Sequence, residues 1–158
     1  MSKNQSIRTC LWFEAGAEEA ACLYVSLFED AEITHIFPTR GDPEGRAFLV
    51  HWTMLGQKFS AMNGGRGVRH TATVSIEVHV RTQAEVDRLW DALTANGGQA
   101  GRCGWLTDRF GISWQIIPEA LPRLMATNDD AVAQRVTQAM LAMNKLDAPA
   151  LEAAARGD

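Results

Sequence analysis

The sequence lacks most features that would place it in a specialised class. Its 158 residues include only three cysteines and one tyrosine, and 15 Lys plus Arg stand against 19 Asp plus Glu. The resulting net charge of −4 argues against nucleic-acid binding, which needs clustered positive charge on one face. No apolar run approaches the ~20 residues that a membrane span requires. We therefore expect neither a nucleic-acid partner nor a membrane partner.

The cysteines and the first residues bear on the compartment. Cys10, Cys22 and Cys103 form no CxxC pair, and an odd number of cysteines is a poor disulfide framework. We expect reduced thiols, as in cytosolic proteins. The first ten residues hold one Lys and one Arg but no apolar stretch of the kind found in signal peptides. These observations predict a cytoplasmic protein.

The order of predicted elements repeats along the chain. Apolar spacing predicts strand, helix and three strands over residues 7–62, and the same order over residues 73–117. Thr82 and Glu85 have the spacing of a capping box, which predicts the start of the second helix. Beyond Pro118 the spacing predicts further helices. The two starts lie about 65 residues apart, as in a duplicated half-domain, so we predict an α+β fold of two βαβββ modules with a helical extension.

The chain has five tryptophans, which can serve a core or a ligand pocket. We assign Trp52 and Trp90 to the core, because Trp90 lies on the apolar stripe of its helix. Trp12, Trp105 and Trp114 fit either position, since pockets and cores share the same aromatic lining.

Several segments resemble the PhnB-like family. The main ones are Phe13–Ala20, Tyr24–Phe28, Met62–Gly65, Gln83–Asp87, Cys103–Leu106 and Asp108–Ile116. The family belongs to the vicinal oxygen chelate superfamily, with glyoxalase I, extradiol dioxygenases and bleomycin-resistance proteins. The resemblance covers nearly the whole chain. It implies one glyoxalase-like domain over 1–158, with module one at 5–66, module two at 70–118 and a helical extension at 119–158, and it implies a curled-sheet cleft and a homodimer.

The same resemblance implies where a divalent metal would be held. Its strand positions correspond here to Thr9, Ser75 and Gln115, with a fourth position near residues 61–63. Hydroxyl and amide groups are poor ligands for a transition metal, which favours imidazole, thiolate or carboxylate. We therefore expect neither the usual metal nor another cofactor. A rearranged site stays open as an alternative, because Glu77 and His79 lie two residues apart on one strand and could bind a metal or act as acid and base.

These positions lead to a predicted binding site for a small organic ligand. The expected lining residues are Thr9, Phe13, Asn63, Ser75, Glu77, His79, Trp105 and Gln115. One alternative is a metal-dependent lyase, isomerase or dioxygenase of the vicinal oxygen chelate type, and another is a structural dimer that binds nothing small.

Family members often carry the name 3-demethylubiquinone 3-methyltransferase. A fold that binds S-adenosylmethionine normally shows a Gly-rich turn between a strand and a helix, as dinucleotide sites do. The Gly-rich stretch here, residues 63–67, leads toward a strand instead. We therefore do not expect this activity.

Overall fold

The computed structural model describes residues 6–158, which form two compact units. The first unit ends at Arg69 and the second comprises His70–Asp158. Residues 1–5 lie outside the described residues. They include the first residue of the predicted module 5–66 and half of the ten N-terminal residues that lack an apolar stretch. Within residues 6–158 no helix has both the length and the apolar character to cross a bilayer.

The first unit has the predicted order of one strand, one helix and three strands. Its elements are β1 (Thr9–Phe13), α1 (Ala17–Ser26), β2 (Ala31–Pro38), β3 (Ala47–Met54) and β4 (Gln57–Asn63). They form one sheet in the order β1-β4-β3-β2, in which β1 and β4 are parallel and the other neighbours are antiparallel. The sheet is therefore mixed. Helix α1 crosses from β1 to β2, and β2, β3 and β4 form an antiparallel meander.

The second unit repeats this topology and adds three helices. Its elements are β5 (Ile76–Val80), α2 (Gln83–Thr94), β6 (Gln99–Ala100), β7 (Trp105–Thr107), β8 (Ser113–Pro118), α3 (Ala120–Met125), α4 (Asp130–Ala142) and α5 (Ala148–Arg156). The sheet order is β5-β8-β7-β6, with β5 and β8 parallel. The matching orders of the two sheets confirm the α+β class and the repeated order of elements.

In the first unit α1 covers one face of the sheet. Its buried residues Ala17, Ala20, Ala21 and Tyr24 contribute to the core. The Tyr24 ring lies 6.0 Å from Trp52, which stacks on Phe59 at 5.3 Å between centroids. Trp52 is fully buried, so its predicted core position is confirmed.

In the second unit α2 begins at the predicted capping box. The Thr82 hydroxyl accepts from the Glu85 amide, and the Glu85 carboxylate accepts from the Thr82 amide at 2.9 Å. The helix buries Val86, Leu89, Trp90 and Leu93 and packs against β5, β7 and β8. Trp90 is 7% exposed, which confirms its core position.

Strand β5 begins three residues after residue 73, where the second set of elements is predicted to start. It begins at Ile76, which pairs with Trp114 near the start of β8, so little of the partner strand extends further. The Thr71 and Thr73 hydroxyls are 2.7 Å apart, and such local hydrogen bonds favour a turn over a strand. Val74, an apolar residue two positions before the strand, is 72% exposed as a result.

A buried carboxylate organises the turn between β7 and β8. Asp108 is 3% exposed and accepts hydrogen bonds from the Phe110 amide (2.9 Å), the Ile112 amide (3.0 Å) and the Trp114 indole (2.9 Å). Trp114 is itself fully buried. The sequence leaves open whether Trp114 lies in the core or lines a pocket, and in the structure it lies in the core.

The C-terminal helices surround a small core of their own. Ile117, Leu121, Val136, Leu146 and Leu151 form this buried cluster. Backbone hydrogen bonds attach the segment between α4 and α5 to the loop between β6 and β7. The Cys103 and Gly104 amides of that loop donate to the carbonyls of Met143 and Asn144, at 2.8 and 2.7 Å.

The Gln83 side chain makes a second attachment for the same segment. It donates to the Leu146 carbonyl at 3.1 Å and accepts from the Ala148 amide at 2.8 Å. The C-terminal helices are thereby joined both to the β6–β7 loop and to the start of α2.

We predict that Asp108→Ala destabilises the protein by about 3 kcal/mol, because it leaves the buried indole and the buried Ile112 amide without their acceptor. Urea denaturation measures the loss. The control is Asp147→Ala, which removes an exposed cap of α5 and should cost about 1 kcal/mol. Equal losses in the two variants would contradict the central role of Asp108.

Candidate functional site

Five of the predicted site residues lie in the second unit and come together. Glu77 on β5 and Trp105 on β7 are both register partners of Gln115 on β8. Paired residues of neighbouring strands project from the same face of a sheet. Glu77, Gln115 and Trp105 therefore form one row across three strands. This row lies on the face opposite α2, because the alternate residues Val78, Leu106, Trp114 and Ile116 are buried in the core.

Two hydrogen bonds connect the polar members of this group. The Gln115 side-chain amide donates to the Ser75 hydroxyl at 2.8 Å. The His79 Nε2 and Glu77 Oε1 atoms are 2.6 Å apart, a short contact between an imidazole and a carboxylate. We call Ser75, Glu77, His79, Trp105 and Gln115 the second-sheet group.

The second-sheet group combines exposed and partly buried side chains. The His79 and Glu77 side chains are 45% and 49% exposed, whereas Ser75, Trp105 and Gln115 are intermediate. The Gln115 amide oxygen and the Trp105 indole have no hydrogen-bond partner among the described residues. The group therefore offers an acceptor and a donor beside an aromatic ring.

The three predicted site residues of the first unit lie on the face of their sheet that packs against α1. The second-sheet group, in contrast, lies on the face opposite its helix. Phe13 is 4% exposed and shares its face with Leu11, which is also buried. Thr9 alternates in phase with both, so it too lies on the side of the sheet that α1 covers. Phe13 therefore packs in the core, whereas Thr9 at the start of β1 is exposed. That the two residues contact a ligand stays a prediction.

The Asn63 side chain makes two hydrogen bonds to backbone atoms of the first unit. Its Oδ1 atom accepts from the Ala17 amide at 2.9 Å, at the first residue of α1, and its Nδ2 atom donates to the Ala47 carbonyl at 2.7 Å. Both ends of the amide thus fix α1 and β3 to the end of β4. That this side chain also faces a ligand stays a prediction.

The side chains on the other face of the first sheet were not among the predicted site residues. One row across all four strands contains Cys10, Ser60, His51 and His35, which we call the polar row. The next row contains Trp12, Met62, Leu49 and Phe37, which we call the apolar row. Residues 9–13 are nearly all apolar, so their alternation does not reveal which side faces α1.

The two histidines of the polar row share one aromatic neighbour. The Phe37 ring lies 4.3 Å from His35 and 5.0 Å from His51, between ring centroids. Burial is the main cause that lowers the pKa of His51 below its usual 6.5, and the charges of Arg8 and His35 lower it further. His51 therefore favours the neutral form in the folded chain.

The donors present do not fit the divalent metal that the fold family implies. Nowhere in residues 6–158 do three His, Cys, Asp or Glu side chains lie close enough to hold one ion. In the second unit the family positions are Ser75 and Gln115, which hydrogen-bond each other. Hydroxyl and amide ligands suit a transition metal poorly.

Solved structures share this fold. A PhnB protein from Bacillus cereus, described provisionally as a 3-demethylubiquinone-9 3-methyltransferase, is 29% identical with a TM-score of 0.65, over 72% of this chain and 99% of its own. A Pseudomonas aeruginosa protein is 21% identical with a TM-score of 0.60, over 73% and 98% of the two chains. A glyoxalase/bleomycin resistance protein from Albidiferax ferrireducens is 14% identical with a TM-score of 0.50, over 72% and 98%. The fold is thus the glyoxalase/bleomycin-resistance type.

The family follows from a match at the sequence level. A model of the family described as 3-demethylubiquinone-9 3-methyltransferase matches residues 5–117. The chain belongs to this family, whose members include PhnB-like proteins, as the resemblance predicts. A search of curated protein sequences found no match to the chain. The helices beyond residue 117 lie outside the family match.

We predict that His51 makes stability depend on pH. Its pKa is lower in the folded chain than the usual 6.5, so protonation favours the unfolded chain. The stabilisation is complete above about pH 7 and is lost as the pH falls through 6.5 toward the folded-state pKa. Urea denaturation of wild type and His51→Gln at about pH 8 and about pH 5.5 measures this, and the variant should lose less stability on acidification. Identical losses would contradict the prediction.

Proposed function

We propose that this protein binds a small organic ligand at the second-sheet group and does so without the metal usual for its superfamily. The observation that carries the proposal is the shared row of Glu77, Gln115 and Trp105 on the face opposite α2. Neighbouring strands are about 4.8 Å apart, so three side chains in one row span about 10 Å, the size of a small planar molecule. Ligand sites commonly combine an aromatic surface with a few fixed polar groups.

The hydrogen bonds within the group support a preformed site. The Gln115 amide nitrogen donates to the Ser75 hydroxyl, and this bond fixes the orientation of the Gln115 amide oxygen. His79 holds one oxygen of Glu77. A site whose polar groups are already oriented loses less conformational freedom on binding and therefore binds more tightly. Thr9, Phe13 and Asn63 belong to the first unit and are not part of the second-sheet group.

The methyltransferase activity in the family name has less support. The helix that follows β1 is reached through Glu14, Ala15 and Gly16, a connection with one glycine. The Gly-rich stretch at residues 63–67 follows β4, and the next element after it is β5. A nucleotide-binding Gly-rich turn joins a strand to a helix whose first amides face the phosphate or ribose groups. Neither connection has that arrangement.

A second candidate function is acid–base catalysis by Glu77 and His79. The contact of 2.6 Å between them favours it, because such a pair can move a proton to or from a bound molecule. If the pair is catalytic, Glu77→Gln lowers turnover of a bound compound while its affinity stays nearly constant.

A metal-dependent lyase, isomerase or dioxygenase is disfavoured by the donor set. The homodimer and the cytoplasmic location stay predictions, and sedimentation analysis tests the first.

We predict that a compound from a thermal-shift screen of metabolites and antibiotics raises the melting temperature, since a ligand of the native state stabilises it. Gln115→Ala should weaken its binding about threefold to tenfold, the effect of one lost hydrogen bond. The matched control is Gln57→Ala, an exposed amide on β4 of the first unit, which should leave the affinity unchanged.

The same screen separates the alternatives. A chelator should not change the ligand-induced shift, and loss of the shift on chelation would favour the metal-dependent alternative instead. A screen in which no compound stabilises the protein, or in which both amide variants bind equally well, would contradict the proposed site.

A further inference from the structure

The tripeptide Asn-Gly-Gly occurs twice in the chain, at residues 63–65 and 96–98. An asparagine before a glycine is prone to an intramolecular reaction, because glycine has no side chain to hinder attack by its backbone nitrogen on the asparagine amide. The two copies share the same local sequence, so a difference in their reactivity has to come from the structure around them.

In the first copy, hydrogen bonds hold both of the groups that would react. Asn63 Oδ1 accepts from the Ala17 amide at 2.9 Å, and Asn63 Nδ2 donates to the Ala47 carbonyl at 2.7 Å. The attacking group would be the Gly64 amide, which donates to the Phe13 carbonyl at 3.0 Å. These three hydrogen bonds must break before the first copy reacts.

The second copy lies in a turn between α2 and β6. Asn96 and Gly97 are exposed, and the Asn96 side chain forms no hydrogen bond with a described residue. Asn96 has φ 54° and ψ 34°, and Gly97 has φ 109°. Positive φ at two successive residues is typical of a type I′ turn, in which Asn-Gly is favoured. The Asn96 amide group thus lacks the contacts that hold Asn63.

The same turn fixes the end of α2. The Gly98 amide donates to the Ala95 carbonyl at 3.2 Å. Gly98 lies so close to the last turn of the helix that a β-carbon there would collide with the Leu93 carbonyl oxygen. Leu93 and Trp90 belong to the buried face of α2. An extra backbone atom in the turn would therefore displace Gly98 and disturb the packing of the helix end.

We propose that Asn96 is a site of spontaneous backbone isomerisation in the folded protein, and that this modification weakens the attachment of α2. The Gly97 nitrogen forms a bond to Asn96 Cγ, and the side-chain nitrogen leaves as ammonia with the proton of the Gly97 amide. The cyclic imide that results then takes up a water molecule. The proposal is independent of ligand binding at the second-sheet group.

Water opens the imide in one of two ways. Cleavage of the bond between Cγ and the Gly97 nitrogen gives aspartate in a normal backbone. Cleavage of the bond between the former Asn96 carbonyl carbon and that nitrogen gives isoaspartate, in which the backbone passes through Cγ and is longer by one carbon. No group is oxidised or reduced in either route.

The test follows both asparagines in the full chain during incubation at mildly alkaline pH, at a temperature at which the protein stays folded. Trypsin releases them in separate peptides, 59–66 and 89–102. Mass spectrometry measures the conversion of amide to acid, and electron-transfer fragmentation separates isoaspartate from aspartate. Asn63 should react about a hundredfold more slowly than Asn96, since its three hydrogen bonds must break first.

Incubation in guanidinium chloride is the control for the role of the structure. In the unfolded chain the two asparagines should react at equal rates, because they share the same tripeptide. A difference that persists in the unfolded chain would show that the fold does not set the reactivity, and would overturn the proposal.

Variants test the effect on α2. Asn96→Gly keeps the positive φ of the turn and removes the reacting amide. After incubation the urea midpoint of wild type should fall in proportion to its isoaspartate content, whereas that of Asn96→Gly should stay constant. Asn96→Asp reproduces the aspartyl product and should lower the midpoint less than isoaspartate, because it adds a charge but no backbone atom.

Three further results would overturn the proposal. They are an unmodified Asn96 after incubation of the folded chain, equal rates at Asn63 and Asn96 in that chain, and an unchanged urea midpoint once isoaspartate has formed at position 96.

Discussion

The hydrogen bonds to the Asp108 carboxylate constrain the second unit more than any other single interaction described above. They close the turn between β7 and β8 and hold the Trp114 indole in the core. Trp114 fixes which side of β8 faces α2, and so fixes Gln115 on the other side. A slip of one residue in β8 would turn Gln115 toward the core and separate it from Glu77 and Trp105. The composition of the second-sheet group thus depends on a buried acid that is not part of it.

The two sheets have the same strand order but different chemistry on the faces opposite their helices. In the first sheet that face carries imidazoles, a thiol and a hydroxyl beside an apolar row. In the second sheet it carries a carboxylate, an amide and an indole. The strand order sets which positions share a face, while the side chains at those positions are free to differ. Two copies of one topology therefore present different side chains on corresponding faces.

Local patterns in the sequence predicted much of the fold. The capping box at Thr82 and Glu85 and the repeated order of strands and helices depend on neighbouring residues, and the structure confirms both. The clear polar alternation of Glu77 and His79 likewise placed them on one face of β5. Strand β5 itself was predicted too long, because its length depends on where β8 begins as its partner.

Which side chains of the first sheet face away from α1 could not be predicted in the same way. Residues 9–13 read Thr-Cys-Leu-Trp-Phe, and large apolar side chains occur in both phases of the alternation. Which phase faces α1 is decided by packing against residues far along the chain, such as Phe59 and Trp52. Asn63 resembled a site residue because it is a polar group at the end of a strand, yet its amide serves the start of α1. Tertiary contacts of this kind leave no local pattern.

The absence of a side chain at Gly104 has a consequence for how the C-terminal helices are attached. A β-carbon there would approach the Leu146 side chain to 2.9 Å, while the Gly104 amide holds the Asn144 carbonyl. The φ angle of +84° also disfavours any other residue. The attachment of the helical segment therefore depends on a glycine that lies outside the helices. Transplanting the helices onto a shorter relative would require the glycine to be transferred with them.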